Sequence, residues 1–323
     1  MLTSHNGVAI LGIYVADLTF RAPQLPAPGQ TIAGSGFAMG PGGKGSNQAV
    51  AAARAGADVT FIGTLGRDSF ADQALAMWAR DGITARVRQI DGQATGASFI
   101  YLNDATGENA IIVVAGAAGL VGVADVEAAA DAIAGARVFV TQLEQPAAAA
   151  LHGLQIARRA GAITIFNPAP AAPFDEAIYP LVDYITPNEH EAALLTGLPV
   201  TTVDEARAAG DVLLARGVGC ALITLGERGA LLHGSDASIL IPPLHAGPVV
   251  ETTGAGDAFN GGFACALGEG ATALEAARFG AAVAAISVTR PGTAPSMPQR
   301  GEVDALLARQ ACLYPAAQAS ARS

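Results

Sequence analysis

Arg137-Val138-Phe139-Val140-Thr141, a helical stretch over 147–160 and Ala162-Ile163-Thr164-Ile165-Phe166 read as one strand–helix–strand unit. Both strands are apolar at successive positions, as strands buried on two faces of a parallel sheet are. The alternation extends outward. A helix over 125–134 precedes the unit. Tyr184-Ile185-Thr186, helices over 189–196 and 203–216, Cys220-Ala221-Leu222-Ile223-Thr224 and a helix over 272–287 follow it. Toward the N-terminus stand a buried first strand over 7–16 with Asp17 at its end, a helix over 46–57, the strand Val59-Thr60-Phe61-Ile62-Gly63 and a helix over 75–81. The class expected is α/β, a central, mostly parallel sheet sandwiched by helices. The stretches Ala97-Ser98-Phe99-Ile100-Tyr101-Leu102 and Asn109-Ala110-Ile111-Ile112-Val113-Val114 flank a turn-rich segment and read as a hairpin. With the proline-broken segment before Gly40 they predict a small β-sheet lid, contributed by about 15–42 and 95–116. A single domain over 1–313 and a disordered tail over 314–323 complete the expected organisation.

Bulk properties narrow the function. The chain has 323 residues, of which 51% are apolar and 14% charged, so a sizeable core is expected. No apolar run approaches the roughly 18–20 residues needed to cross a bilayer. The apolar stretch at 7–16 lacks a preceding Lys or Arg and runs straight into Asp17, which favours a strand over a signal peptide. A formal charge of −10 without a basic cluster argues against nucleic acid and for a small substrate, with no membrane partner. Cys220, Cys265 and Cys312 are far apart and form no metal motif, consistent with reduced thiols in a cytoplasmic protein. His5, His152, His190, His233 and His245 form no ligand-spaced set, which argues against catalytic zinc.

In parallel sheets, ligands bind beyond the carboxyl ends of the strands. Uncommon sequences cluster there: Thr141-Gln142-Leu143-Glu144, Asn167-Pro168-Ala169-Pro170, Thr186-Pro187-Asn188-Glu189 and Thr224-Leu225-Gly226. Gly254-Ala255-Gly256-Asp257 opens a further helix, expected from Asp257 to about Leu267. A helix N-terminus with glycines attracts anions, so a carboxylate beside it needs a reason. Asp257 reads either as a base taking a proton from an attacking hydroxyl or simply as a helix-start residue. Gly40-Pro41-Gly42-Gly43-Lys44-Gly45-Ser46-Asn47 matches a dinucleotide fingerprint only formally, and Gly45 after Lys44 excludes a Walker A loop. Lys44 and Asn47 read as donors to hydroxyls or a phosphate, or as part of a flexible glycine loop. Asn188 and Glu191, three apart at a helix start, could hold a hydrated magnesium ion or form a capping box. Asp17 could accept bonds from sugar hydroxyls, or mark a strand end.

Taken together, Gly42-Gly43-Lys44-Gly45-Ser46-Asn47-Gln48-Ala49, Thr186-Pro187-Asn188-Glu189-His190-Glu191, Leu222-Ile223-Thr224-Leu225-Gly226 and Gly254-Ala255-Gly256-Asp257 resemble the ribokinase family of carbohydrate kinases, in order and spacing over about residues 7–310. The resemblance implies an ATP-dependent kinase using Mg²⁺ and a stimulating K⁺, with a lid that covers the sugar and forms a homodimer contact. By position it implies Asp257 as catalytic base and the amides of Gly254, Ala255 and Gly256 as an anion hole. It further implies Asp17, Gly43, Lys44, Asn47 and Glu144 as sugar contacts, and Asn188, Thr224, Gly226, Gly229 and Gly256 on the nucleotide side. Glu191 would reach magnesium through water, while Glu251, Thr253, Val288, Pro291 and Thr293 would hold the monovalent cation.

Two positions depart from the pattern. The family usually has Asn two residues before the first-strand Asp, where this chain has Val15, and often Asp where this chain has Glu251. Valine cannot hydrogen-bond, so a sugar lacking that hydroxyl becomes plausible beside ribose. The expected reaction is phosphorylation of a pentose's primary hydroxyl, D-ribose first. Deoxyribose, another sugar or a nucleoside is the alternative, and a catalytically idle sugar-binding protein the reading from another class.

Overall fold

Two β-sheets organise the chain in a computed structural model that describes residues 6–313, with side chains to residue 310. The expected tail over 314–323 lies outside the described residues. Among the described residues the larger sheet has nine strands. Their spatial order is Ser238–Ile241, Ala230–Gly234, Cys220–Thr224, Tyr184–Ile185, Ile163–Phe166, Val138–Thr141, Gly7–Leu11, Asp58–Leu65 and Thr84–Gln89. All neighbours pair in parallel except at Ala230–Gly234, which runs antiparallel to both strands beside it. The strand–helix–strand unit over 137–166 sits centrally: Val138 pairs with Ile163 on one side and with Val8 on the other.

The smaller sheet has the order Gly36–Gly42, Val15–Ala22, Thr95–Asn103, Asn109–Gly116. Its strands fall within the two segments expected to form a lid. The chain enters it by leaving the large sheet at Leu11 and re-pairing from Val15, so Asp17 lies inside a lid strand rather than at the end of the first strand. The apolar run over 7–16 conceals that change of partner, because both strands are buried there.

Helices cover both faces of the large sheet. On one face Lys44–Ala55, Ala255–Glu269 and Ala273–Ser287 pack into one buried cluster with Ile10, Val140 and Leu222. Gly261 allows the closest approach, since a Cβ there would lie 2.5 Å from Ala51 Cβ and 2.6 Å from Gln48 O. That contact holds the middle of helix Lys44–Ala55 against the middle of helix Ala255–Glu269. Substituting Gly261 by Ala would force the pair apart, at the ~1–3 kcal/mol typical of overpacking. The opposite face buries Leu11, Phe139, Phe166 and Ile223 under Ala147–Ala160, Glu189–Thr196 and Val203–Ala215.

Candidate active site

Gly254 caps helix Ala255–Glu269 with φ 81°, a backbone that favours glycine, and Gly254, Ala255 and Gly256 line a cleft of about 140 Å³. The Ala255 amide donates to Thr252 O at 3.1 Å, which removes it from the expected anion hole. Asp257 stands in the helix's first turn, 6% exposed. Both its oxygens are engaged: Asn47 Nδ2 donates to Oδ2 at 3.0 Å and Gln48 Nε2 to Oδ1 at 3.1 Å. Burial raises the proton affinity of Asp257, opposed by Lys44 and by the Asn47 and Gln48 amides. A carboxylate so placed is a stronger base than a free Asp while remaining ready to accept a proton.

Lys44 lines the same cleft. Burial alone would weaken its charge, yet Asp257, Glu144 and Glu191 together raise its pKa. Glu144 accepts the Lys44 backbone N–H at 2.6 Å, and burial pushes its carboxyl up to about 7, with Lys44 opposing and Asp257 adding to the shift. Asp17 accepts the Ser98 hydroxyl across two lid strands, and burial raises its pKa against that bond. Gly43 caps helix Lys44–Ala55, so the lid strand Gly36–Gly42 leads straight into the Lys44–Asn47 turn. Sugar-side candidates thus come from the lid, the glycine turn and the end of strand Val138–Thr141.

On the cleft's other side, Asn188 and Glu191 form a reciprocal capping box, each side chain taking the other's backbone N–H at 2.8 Å. Both line the cleft with Thr224, Gly254, Ala255 and Gly256. Burial raises the Glu191 pKa against the Asn188 amide and Lys44. Gly226 and Gly229 lie farther along the turn after Thr224. The nearest group to a Cβ on Gly226 is the Glu189 carboxylate, at 3.9 Å, and Glu189 pairs with Arg228. Gly229 meets backbone instead: a Cβ there would come within 2.0 Å of Ile241 O.

The segments proposed for a monovalent cation do converge. Glu251 Oε2 accepts the Gly292 amide at 2.8 Å, and Thr293 Oγ1 donates to Pro41 O at 2.8 Å. Val288 O accepts from both Val250 and Glu251 amides, so it has no lone pair left for an ion. Val15 shares the Asp17 face of its strand, buried with Ile13 and Ala118 and closing on Gly96.

Several cleft residues carry no role in the sequence reading. Asn167, Thr186 and Asn260 line the cleft, and Gln48 and Gln142 stand behind it; all five are buried and linked by hydrogen bonds that reach Asp257 through Gln48. Gln142, Asn167 and Thr186 do stand in the unusual strand-end sequences. Gln48 and Asn260 look like ordinary helix positions until the two helices are packed together.

A buried carboxylate in the first turn of a helix, on a cleft lined by the glycines that open that helix, suits the class of enzymes that transfer phosphoryl groups to small hydroxyl compounds. Residues 6–300 match the pfkB family of carbohydrate kinases, and the chain belongs to that family. The chain is 38% identical over 296 residues to a ribokinase of Haemophilus influenzae, spanning 91% of this chain and 96% of that one. It is 34% identical over 293 residues to a deoxyribokinase of Salmonella typhi, spanning 90% and 95%. The structure of an Arabidopsis thaliana ribokinase complexed with ribose and ATP superposes with a TM-score of 0.87 at 30% identity, covering 93% of this chain and 98% of that one.

Proposed function

We propose that the chain transfers the γ-phosphate of ATP to the primary hydroxyl of D-ribose, giving ribose 5-phosphate and ADP. One observation carries this reading: the buried Asp257 carboxylate on the cleft, both oxygens held by side-chain amides. As the sugar oxygen bonds to the γ-phosphorus, the bond from that phosphorus to the bridging oxygen breaks and its electron pair leaves with ADP. The hydroxyl proton passes to Asp257. The amides of Gly254 and Gly256 receive the charge of the transferred group, without the Ala255 amide, which donates to Thr252 O at 3.1 Å. Asp17, Gly43, Lys44, Asn47 and Glu144 orient the sugar, and Asn188, Thr224, Gly226 and Gly229 the nucleotide.

Electrostatics supports a divalent cation. Asp257, Glu144 and Glu191 surround Lys44, and Asp17 adds its charge beside Glu144, a poor setting for the phosphates of ATP without added positive charge. Among the described residues no cluster of three or more His, Cys, Asp or Glu could hold a metal by itself. Magnesium fits as an ion ligated mainly by ATP, with Glu191 reaching it through water. When bound it neutralises phosphate charge. Potassium fits between the two converging loops through Glu251, Thr253, Pro291 and Thr293, without the Val288 carbonyl. The lid exposes Phe37, Ile112 and Val114, each more than 60% exposed, and a homodimer through that surface in a cytoplasmic enzyme completes the proposal.

A second reading, 2-deoxyribose as acceptor, is favoured by Val15, which brings an apolar side chain to the Asp17 face. ATP-dependent ADP release across ribose, 2-deoxyribose, other pentoses, hexoses and nucleosides separates the two. A maximum on ribose supports the first reading, a maximum on deoxyribose the second, and no turnover with any sugar overturns both.

A further inference from the structure

A directional chain of hydrogen bonds runs beneath Asp257. Gln142 Nε2 donates to Gln48 Oε1 at 2.6 Å, and Gln48 Nε2 donates to Asp257 Oδ1 at 3.1 Å and to Asn167 Oδ1 at 3.2 Å. Asn167 Nδ2 continues to Thr186 O at 2.8 Å, Thr186 Oγ1 to Asn260 Oδ1 at 2.7 Å, and Asn260 Nδ2 to Gly256 O at 2.9 Å. A carboxamide donates at one end and accepts at the other, so turning one amide forces its neighbours to turn. Gln142 itself makes a sacrifice in this arrangement. Its buried Oε1 finds no hydrogen-bond partner among the described residues and sits against the α-carbons of Gly12 and Gly45, where a Cβ would come within 2.7 and 2.9 Å of it. An unpaired buried carbonyl is unfavourable, and what it secures is an NH₂ group aimed at Gln48.

We infer that Gln142, acting through Gln48, is a positioning residue that keeps the Asp257 carboxylate in its ionised, accepting form until the sugar's hydroxyl proton arrives. The inference rests on the reading of Asp257 as base. Lys44 from the glycine turn, Glu144 from a strand end and Glu191 from helix Glu189–Thr196 act on the same carboxylate and set its baseline. Replacing Gln142 leaves them in place. Without the Gln142 donor, Gln48 is free to turn its carbonyl toward Asp257, where it favours the protonated acid.

The test compares wild type, Gln142→Met and Gln142→Leu, which both remove the donor without adding a titratable group, the last covering the case in which the methionine variant does not fold. Measured are kcat, kcat/KM against pH with the best sugar, KM for sugar and ATP, and the titration of Asp257 followed by ¹³C-carboxyl NMR, assigned with Asp257→Asn. The acid limb and the NMR titration should both move up by about one pH unit, with about tenfold lower kcat/KM below the limb and KM values little changed. A lower kcat at every pH with an unmoved limb would mean a packing role and overturn the inference, as would an unmoved NMR titration. A wild type idle on every sugar defeats the kinase reading instead, and the NMR titration still decides what Gln142 does.

Discussion

Asn47 Nδ2 donates to Asp257 Oδ2 at 3.0 Å across 210 residues of chain. The bond joins the first turn of helix Lys44–Ala55 to the first turn of helix Ala255–Glu269, the starts of the chain's two glycine motifs. The groups proposed for the sugar and for the phosphate therefore meet at one carboxylate, which suits the proposed in-line transfer between two bound molecules.

Asp257→Asn keeps the side chain's shape and removes the proton acceptor. We expect kcat to fall about 10²-fold or more while ATP binding, measured by calorimetry, stays near wild type. Turnover close to wild type would remove Asp257 from the role of base.

Glu144 titrates near 7, above its ordinary 4.5, chiefly through burial. Its folded state therefore binds a proton more readily than the unfolded chain. That contribution to stability is present below about pH 4.5 and is lost as pH rises through about 7. Glu144→Gln should melt above wild type at pH 8 but not at pH 4.5, and an equal difference at both pH values would contradict the assignment. The wild-type KM for sugar should rise as pH falls through 7, as the ionised acceptor is lost, and stay flat in the variant.

Val15→Asn places an amide on the Asp17 face in a small apolar cluster. Burying that amide costs about 1–3 kcal/mol unless a sugar hydroxyl pairs with it. The ratio of kcat/KM for ribose over 2-deoxyribose should rise in the variant, and an unchanged ratio would mean that position 15 does not meet the sugar.

Glu251 ties its loop to Gly292. ADP release titrated with potassium chloride at constant ionic strength should show stimulation in wild type and its loss in Glu251→Ala. Equal potassium response in both proteins would place the cation elsewhere.

Ile112 is 63% exposed on lid strand Asn109–Gly116. A charge there should split a lid-mediated dimer, so light scattering should find wild type at twice the monomer mass and Ile112→Lys at the monomer mass. A monomeric wild type would end that part of the proposal.

By itself the sequence determined the α/β class, the family and the chemical types at the site. Helix Glu189–Thr196 and strand Cys220–Thr224 lie at the residues the pattern indicates, because burial on one stripe or on both faces leaves a local periodicity. The glycine motifs were legible for the same reason, since they record local backbone needs. Strand Thr84–Gln89 at the sheet edge, with alternating exposure, and the antiparallel pair Ala230–Gly234 and Ser238–Ile241 left weaker patterns and went unread. Only the tertiary structure decided that Val15 begins a lid strand, that Val288 O is spent on backbone amides, and that Gln48 and Gln142 stand behind Asp257. Such partners are set by which helices and strand ends meet in space, and the direction of a side-chain hydrogen bond between residues 94 apart has no signature along the chain.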